Sequence, residues 1–139
     1  MTRARDIMHF GAECIGEHES LHKASQRMRD LDVGALPICG DDDRLHGIIT
    51  DRDIVLKCIA AGSDPQVMTA GELAQGKPVT IEAAADASQV LSVMEEHRIR
   101  RLPVTESHRL IGMISEADLA RNLPDQAVAE FVESICAAG

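Results

Sequence analysis

The sequence predicts a mixed α/β (α+β) fold, two copies of a β-α-β-β-α unit packed as a pseudo-twofold pair with one further helix at the C-terminus. Three observations carry this. First, the chain repeats itself: a shift of 66 residues sets Ala4-Arg5-Asp6-Ile7 over Ala70-Gly71-Glu72-Leu73, and Val33-Gly34-Ala35-Leu36-Pro37-Ile38 over Ile99-Arg100-Arg101-Leu102-Pro103-Val104. After a one-residue deletion in the next turn, Leu45 to Ile54 falls over Leu110 to Leu119. Order, spacing and chemistry all recur, which is the mark of a duplication. Second, apolar spacing alternates along each copy between the strand and helix periods. Third, a unit of about 60 residues buries little surface and is marginal alone, so the copies should pack face to face and leave paired clefts between them.

Taken in order, Asp6-Ile7-Met8 and Glu72-Leu73-Ala74 are short lead-ins, and Glu13-Cys14-Ile15 and Val79-Thr80-Ile81 short strands. Helices follow, with Leu21, Ala24, Met28 and Leu31 on one apolar face, and Ala87, Val90, Leu91 and Met94 on its counterpart. Glu19-Ser20 and Asp86 lie near the helix starts, where short polar acceptors can cap free N–H groups. The strands Val33–Ile38 and Ile99–Val104 each hold a proline, Pro37 or Pro103, which lacks a donor and belongs at an edge or bend. Turns at Gly40-Asp41-Asp42-Asp43 and Glu106-Ser107-His108 lead into Leu45–Thr50 and Leu110–Ser115, a hairpin in each copy. Helices Asp53–Ala61 and Asp118–Leu123 come next, the first closed by Gly62. The boundaries that result are 4–62 for the first repeat, 63–69 for the linker, 70–124 for the second repeat and 125–139 for the last helix. That helix carries Val128, Phe131, Val132 and Ile135 on one side, a stripe that needs either the body of the protein or a second chain as its partner.

Composition narrows the function classes. The chain has no Trp, no Tyr, two Phe and a net charge of -9, so general nucleic-acid binding is disfavoured and the core must be aliphatic. No apolar run approaches the roughly 20 residues of a bilayer span. The N-terminus lacks the apolar stretch of a secretory signal, so no membrane association and a cytoplasmic location are expected. The four cysteines, at 14, 39, 58 and 136, contain no Cys-x-x-Cys pair.

The most informative motif is an apolar strand that ends in a hydroxyl, with a carboxylate three residues on as a helix begins. It occurs as Gly47-Ile48-Ile49-Thr50-Asp51-Arg52-Asp53 and again as Gly112-Met113-Ile114-Ser115-Glu116-Ala117-Asp118. A hydroxyl beside free helix N–H groups suits an oxyanion such as phosphate, and a carboxylate in the first turn can accept from both hydroxyls of a ribose. The same pattern is also an ordinary helix cap, with Thr50 or Ser115 as the cap and the Asp favouring the helix dipole. Both readings stand at this level.

The element order, the hydrophobic-Pro-hydrophobic strand and the Gly-h-h-Thr/Ser-x-x-Asp motif resemble CBS domains, and two in tandem resemble a Bateman module. The resemblance runs from about Ala4 to Leu123. Asp6-Ile7-Met8, Leu36-Pro37-Ile38 and Gly47–Asp53 are similar to small stand-alone bacterial members. It implies a non-catalytic regulatory or sensor protein, serving a stress or hypoxia response, that binds AMP, ADP, ATP or S-adenosylmethionine between the repeats and acts through a homodimer or a protein partner. By resemblance Thr50 and Ser115 face phosphate, Asp53 and Asp118 hold ribose, and Arg101 contacts phosphate. Its first-repeat counterpart is Ala35, for which Arg52 is a local substitute. The second copy therefore holds the fuller set. Asp51 and Glu116 put negative charge near where phosphate would sit.

Cys14 and Cys39 fall on the first two strands of one repeat, and their counterparts, Thr80 and Thr105, change identity together. A disulfide and a pair of reduced core thiols both fit. Cys58 and Cys136 read as helix-core or interface thiols, and a thiol redox switch is a third, weaker functional reading. His18 and His22 are four apart, but His18 precedes the helix start and no carboxylate or Cys signature completes a metal site. Lys23, Arg27, Arg29, Arg98 and Arg100 suit a solvated face paired with nearby acids. No nucleophile–base set appears, so no enzyme activity, catalytic residue, metal or required cofactor is expected. The rival to the sensor is a structural or protein-interaction dimer without nucleotide, stiffened by Cys14–Cys39.

Overall fold

The computed structural model describes residues 1–10, 13–42, 44–74 and 78–137. It has the expected mixed architecture, with two three-stranded sheets and connecting helices. In chain order the elements are α1 (Ala4–Ile7), β1 (Ile15–Gly16), α2 (Leu21–Leu31), β2 (Ala35–Cys39), β3 (Leu45–Thr50) and α3 (Asp51–Ile54), which continues as a π-helical turn over Val55–Ile59. Then come α4 (Ala70–Leu73), β4 (Ile81–Glu82), α5 (Ala87–His97), β5 (Arg101–Glu106), β6 (Arg109–Ser115), α6 (Glu116–Asn122) and α7 (Asp125–Ala137). Asp43, in the expected acidic turn, lies outside the described residues, as do the last two residues of the chain.

The chain forms two compact units, Glu13–Pro78 and Met1–Ala12 with Val79–Gly139. In the first, the sheet order is β1-β2-β3, with β1 parallel and β3 antiparallel to β2. The second repeats this as β4-β5-β6. Pro37 and Pro103 thus sit in middle strands, not edge strands. The geometry still accommodates them: β1 pairs only with Ile38 and Cys39, and β4 only with Val104 and Thr105, so neither ladder reaches the proline. A register shift follows each proline by one residue, between Ile38 and Cys39 and between Val104 and Thr105.

The helices follow their sequence signals. Ser20 caps α2 by accepting from Lys23 N, and Asp86 caps α5 by accepting from Gln89 N. Both helices stop on a left-handed residue, Asp32 and Arg98, each at φ 55°. Leu21, Ala24 and Met28 are buried, whereas Leu31, expected on the same face, is 42% exposed because the helix ends there. Gly62, at φ +79°, closes the turn after Ile59 as expected. Helices α3 and α6 begin two residues earlier than the apolar spacing indicates, because Thr50 and Ser115 act as their caps. The last helix docks on its own chain: Phe131 is fully buried and Ile135 nearly so, among Val90, Met94 and Leu119 of the second unit's core. Val132, on the same expected stripe, stays 43% exposed.

The two units do not coincide with the two sequence repeats, because the lead-ins are exchanged. Helix α1, from the start of the first repeat, lies in the unit built on the second. Ala4 N donates to Ala85 O (2.8 Å), Ala87 N donates to Thr2 O (2.9 Å), and Ala4 and Ile7 are buried in that core. Helix α4, from the start of the second repeat, mirrors this in the other unit. Ala70 N donates to Glu19 O (2.9 Å), Leu21 N donates to Met68 O (2.9 Å), and Ala70 and Leu73 are buried there. The isolated bridges Arg3–Asp86 and Ser20–Thr69 are the same contact made twice. Small residues permit the approach: a Cβ on Gly71 would meet Glu17 O at 2.8 Å.

Candidate ligand-binding junctions

The two copies of the strand-hydroxyl-helix motif form the junctions β3–α3 and β6–α6, one in each unit. At the first, Asp53 N donates to Thr50 Oγ1 (3.0 Å) and Thr50 N donates to Asp53 Oδ2 (3.1 Å), a reciprocal capping box. At the second, Asp118 N donates to Ser115 Oγ (3.3 Å), while Ser115 N (2.8 Å) and Ser115 Oγ (3.0 Å) both donate to Asp118 Oδ2. The capping reading of the motif is therefore realised in both copies. It leaves the outer carboxylate oxygens for other partners, Lys57 Nζ at 3.3 Å from Asp53 Oδ1 and Arg121 Nη1 at 3.6 Å from Asp118 Oδ1.

Strand pairing adds the flanking residue. Arg101 stands directly across from Ser115, and Ala35 directly across from Thr50. Opposed residues in an antiparallel pair project to the same face, so Arg101, Ser115 and Asp118 gather at one junction while the other has only a methyl group in place of the guanidinium. Arg52 is exposed in the first turn of α3. Asp51 is exposed, and Glu116 is in an ion pair with Arg100 at 3.6 Å.

Burial separates the junctions in a way the residue types do not. The Asp53 side chain is 26% exposed and that of Asp118 only 5%. The difference comes with His9, whose Nδ1 lies 2.7 Å from Asp118 Oδ2. His9 has no motif around it and lies 109 residues away in the chain. The one local signal for it is Gly112, where a Cβ would meet Met8 Sδ at 2.5 Å and His9 O at 2.9 Å: that strand residue is bare because the lead-in crosses it.

Cys14 and Cys39 are joined by a disulfide across 25 residues. Arg27 Nη1 donates to Cys14 O at 2.8 Å and holds the same segment. Cys58 is buried, with Sγ 3.6 Å from Ser63 O, whereas Cys136 is exposed and not part of the core. Most of the basic residues are paired with acids as a solvated face: Lys23 and Arg27 with Glu19, Arg29 with Asp30, and Arg100 with Glu116.

One further cluster is formed by the fold and not by a spacing motif. Glu17, His18 and Asp41 bring a ligand atom each to within 4.8 Å of one another. His18 does precede α2, as expected; Glu17 is its neighbour in the chain, and Asp41 comes from the β2–β3 connection. One imidazole and two carboxylates are a donor set that zinc accepts, with a fourth position open. Glu17 turns its other oxygen to His46 Nδ1 (2.9 Å), the kind of outer contact that orients a metal-binding carboxylate.

The CBS-domain family model matches residues 4–59 and 70–125. The chain belongs to the CBS-domain family. This CBS protein is 58% identical over 136 residues to hypoxic response protein 1 of Mycobacterium tuberculosis (strain ATCC 25618 / H37Rv), covering 98% of this chain and 95% of that one. It is 34% identical over 127 residues to the CBS domain-containing protein YhcV of Bacillus subtilis (strain 168), covering 88% and 86%. Among solved structures, Hypoxic Response Protein I with two coordinated zinc ions matches at a TM-score of 0.82 and 59% identity, over 88% of this chain and all of that one. CBSX2 in complex with AMP matches at a TM-score of 0.74 and 20% identity, over 87% and 95%, which shows a shared fold. No helix among the described residues is long and apolar enough to cross a membrane.

Proposed function

We propose that this CBS pair is a non-catalytic regulatory protein of a stress or hypoxia response, that it binds an adenosyl ligand (AMP, ADP, ATP or S-adenosylmethionine) at the β3–α3 and β6–α6 junctions, and that it acts through a homodimer or a protein partner. The observation that carries the nucleotide reading is the convergence of Arg101, Ser115 and Asp118 on one strand end, a cation, a hydroxyl and a carboxylate at a helix start. Phosphate is held by Arg101 and Ser115 and the ribose diol by Asp118; at the other junction Thr50, Arg52 and Asp53 take these roles. The AMP bound by CBSX2 supports this ligand class. Calorimetry with AMP, ADP, ATP and S-adenosylmethionine is the test. Asp53→Asn and Asp118→Asn each keep a capping oxygen but remove the charge, and a lost charged hydrogen bond lowers affinity roughly ten- to hundredfold. Absence of heat with all four ligands sinks the reading.

The homodimer is supported by Val55, Leu56 and Ile59, three large apolar side chains about half exposed on the π-helical turn. Light scattering at micromolar concentration checks it, and Leu56→Glu should yield monomer.

A second reading, a structural or protein-interaction dimer without nucleotide, is favoured by the disulfide and by the complete capping boxes, which satisfy Thr50, Ser115 and both Asp residues without a ligand. Zinc is a separate candidate ligand: the relative's two ions and the Glu17–His18–Asp41 set together support it. A zinc titration with His18→Ala as the control decides that point.

A further inference from the structure

We infer that His9 is an internal latch on the second junction: its imidazole holds the face of the Asp118 carboxylate that a ligand diol would need, and must leave before a ligand binds there. This inference rests on the nucleotide reading of Asp118. Asp118 Oδ2 already accepts from Ser115 N and Ser115 Oγ, and His9 Nδ1, 2.7 Å away, completes three contacts on one oxygen. Those contacts fill that oxygen, and Oδ1 lies toward Arg121. A diol that engages both carboxylate oxygens therefore binds only by exchange with His9.

The latch is seated by the backbone and not by its side chain. His9 N donates to Met113 O (2.9 Å) and Met113 N donates to His9 O (3.2 Å), two residues before Ser115 on the same strand. The bare Gly112 lets Met8 and His9 lie against the strand. The His9 side chain itself is about half exposed, at 49%, so it has solvent to move into while its main chain stays bridged. At the first junction, among the described residues, Asp53 Oδ2 accepts from Thr50 N alone, and its side chain is the more open of the two. The junction with the fuller set of binding residues is thus the closed one.

The test is calorimetry with AMP on the wild type, His9→Ala, Asp118→Asn and Asp53→Asn. Alanine keeps both backbone bonds to Met113, so His9→Ala should fold as the wild type does, melting somewhat lower for the lost imidazole–carboxylate contact. It should bind AMP about tenfold more tightly at a site that Asp118→Asn weakens, the factor expected if the unlatched form is about one molecule in ten. Histidine-selective NMR is the second readout, with the His9 signal assigned by its loss in His9→Ala. AMP should shift that signal in the wild type and leave it unshifted in Asp118→Asn. If Asp118→Asn weakens binding roughly tenfold or more while His9→Ala leaves affinity equal or weaker, the latch is overturned and the nucleotide reading stands. If neither wild type nor His9→Ala takes up AMP, both fall.

Discussion

Reducing the Cys14–Cys39 disulfide should destabilise the unit Glu13–Pro78 by an amount the chain length sets. The bond closes a loop across 25 residues. In the chain-entropy model a loop of that length removes about 12 cal/mol/K from the unfolded ensemble, or about 3.5 kcal/mol at 25 °C. With a urea slope of about 2 kcal/mol/M, the midpoint should fall by roughly 2 M. The chain has neither Trp nor Tyr, so unfolding is followed by far-ultraviolet circular dichroism rather than by intrinsic fluorescence. Cys136→Ser removes the exposed thiol and with it its cross-links between folded molecules. The expected result is a lower midpoint in dithiothreitol with native helical signal retained before the transition, because Arg27 still holds the Cys14 carbonyl. A midpoint that moves by less than about 0.3 M would refute the entropic argument. Mass analysis showing four free thiols in oxidised protein would refute the bond itself.

Three further outcomes follow from the packing and the caps. Phe131→Ala removes a fully buried ring from the second unit's core and should cost about 3–5 kcal/mol, read by urea titration; a loss under about 1 kcal/mol would mean that α7 is not docked on its own chain. Ser107 and His108 both have positive φ (51° and 66°) in the two-residue turn between β5 and β6, so Ser107→Asn with His108→Gly should raise stability by about 1 kcal/mol. Asp86 caps α5, and its hydrogen bond from Ser88, followed by that from Gln89 N, holds its pKa below the usual carboxylate range. Its stabilisation is therefore full above the unfolded pKa and is lost as pH falls through the lower folded value. Asp86→Asn should remove that part of the acid dependence of the melting temperature.

What the sequence makes legible is whatever repeats or is local. The duplication, the hairpins, the caps at Ser20 and Asp86 and the Gly62 closure are set within a few residues, and each appears where its pattern points. The capping and binding meanings of Thr50-x-x-Asp53 share the same atoms, so no local pattern separates them. Leu31 kept the helical spacing but lost its burial because the helix turns off at Asp32. Features made across long separations were hidden. A four-residue helix such as Ala4–Ile7 has too few apolar positions to say which core it joins, and His9 meets Asp118 only because that helix crosses to the other repeat's sheet. The Glu17–His18–Asp41 cluster is hidden for the same reason, since its third member arrives from a turn more than twenty residues away.

The exchanged lead-ins set an order of events during synthesis. Residues 13–62 leave the ribosome without α4, so their core lacks Ala70 and Leu73 until the chain has passed position 74. Helix α1, made first, has its seat only after β6 has been made, more than a hundred residues later. The nascent N-terminus must therefore remain undocked through most of translation, and its late docking adds a long-range closure that slows the last step of folding. A gene fragment cut at the repeat boundary would leave each half without its own keystone. One cut at 13–78 would carry a whole core.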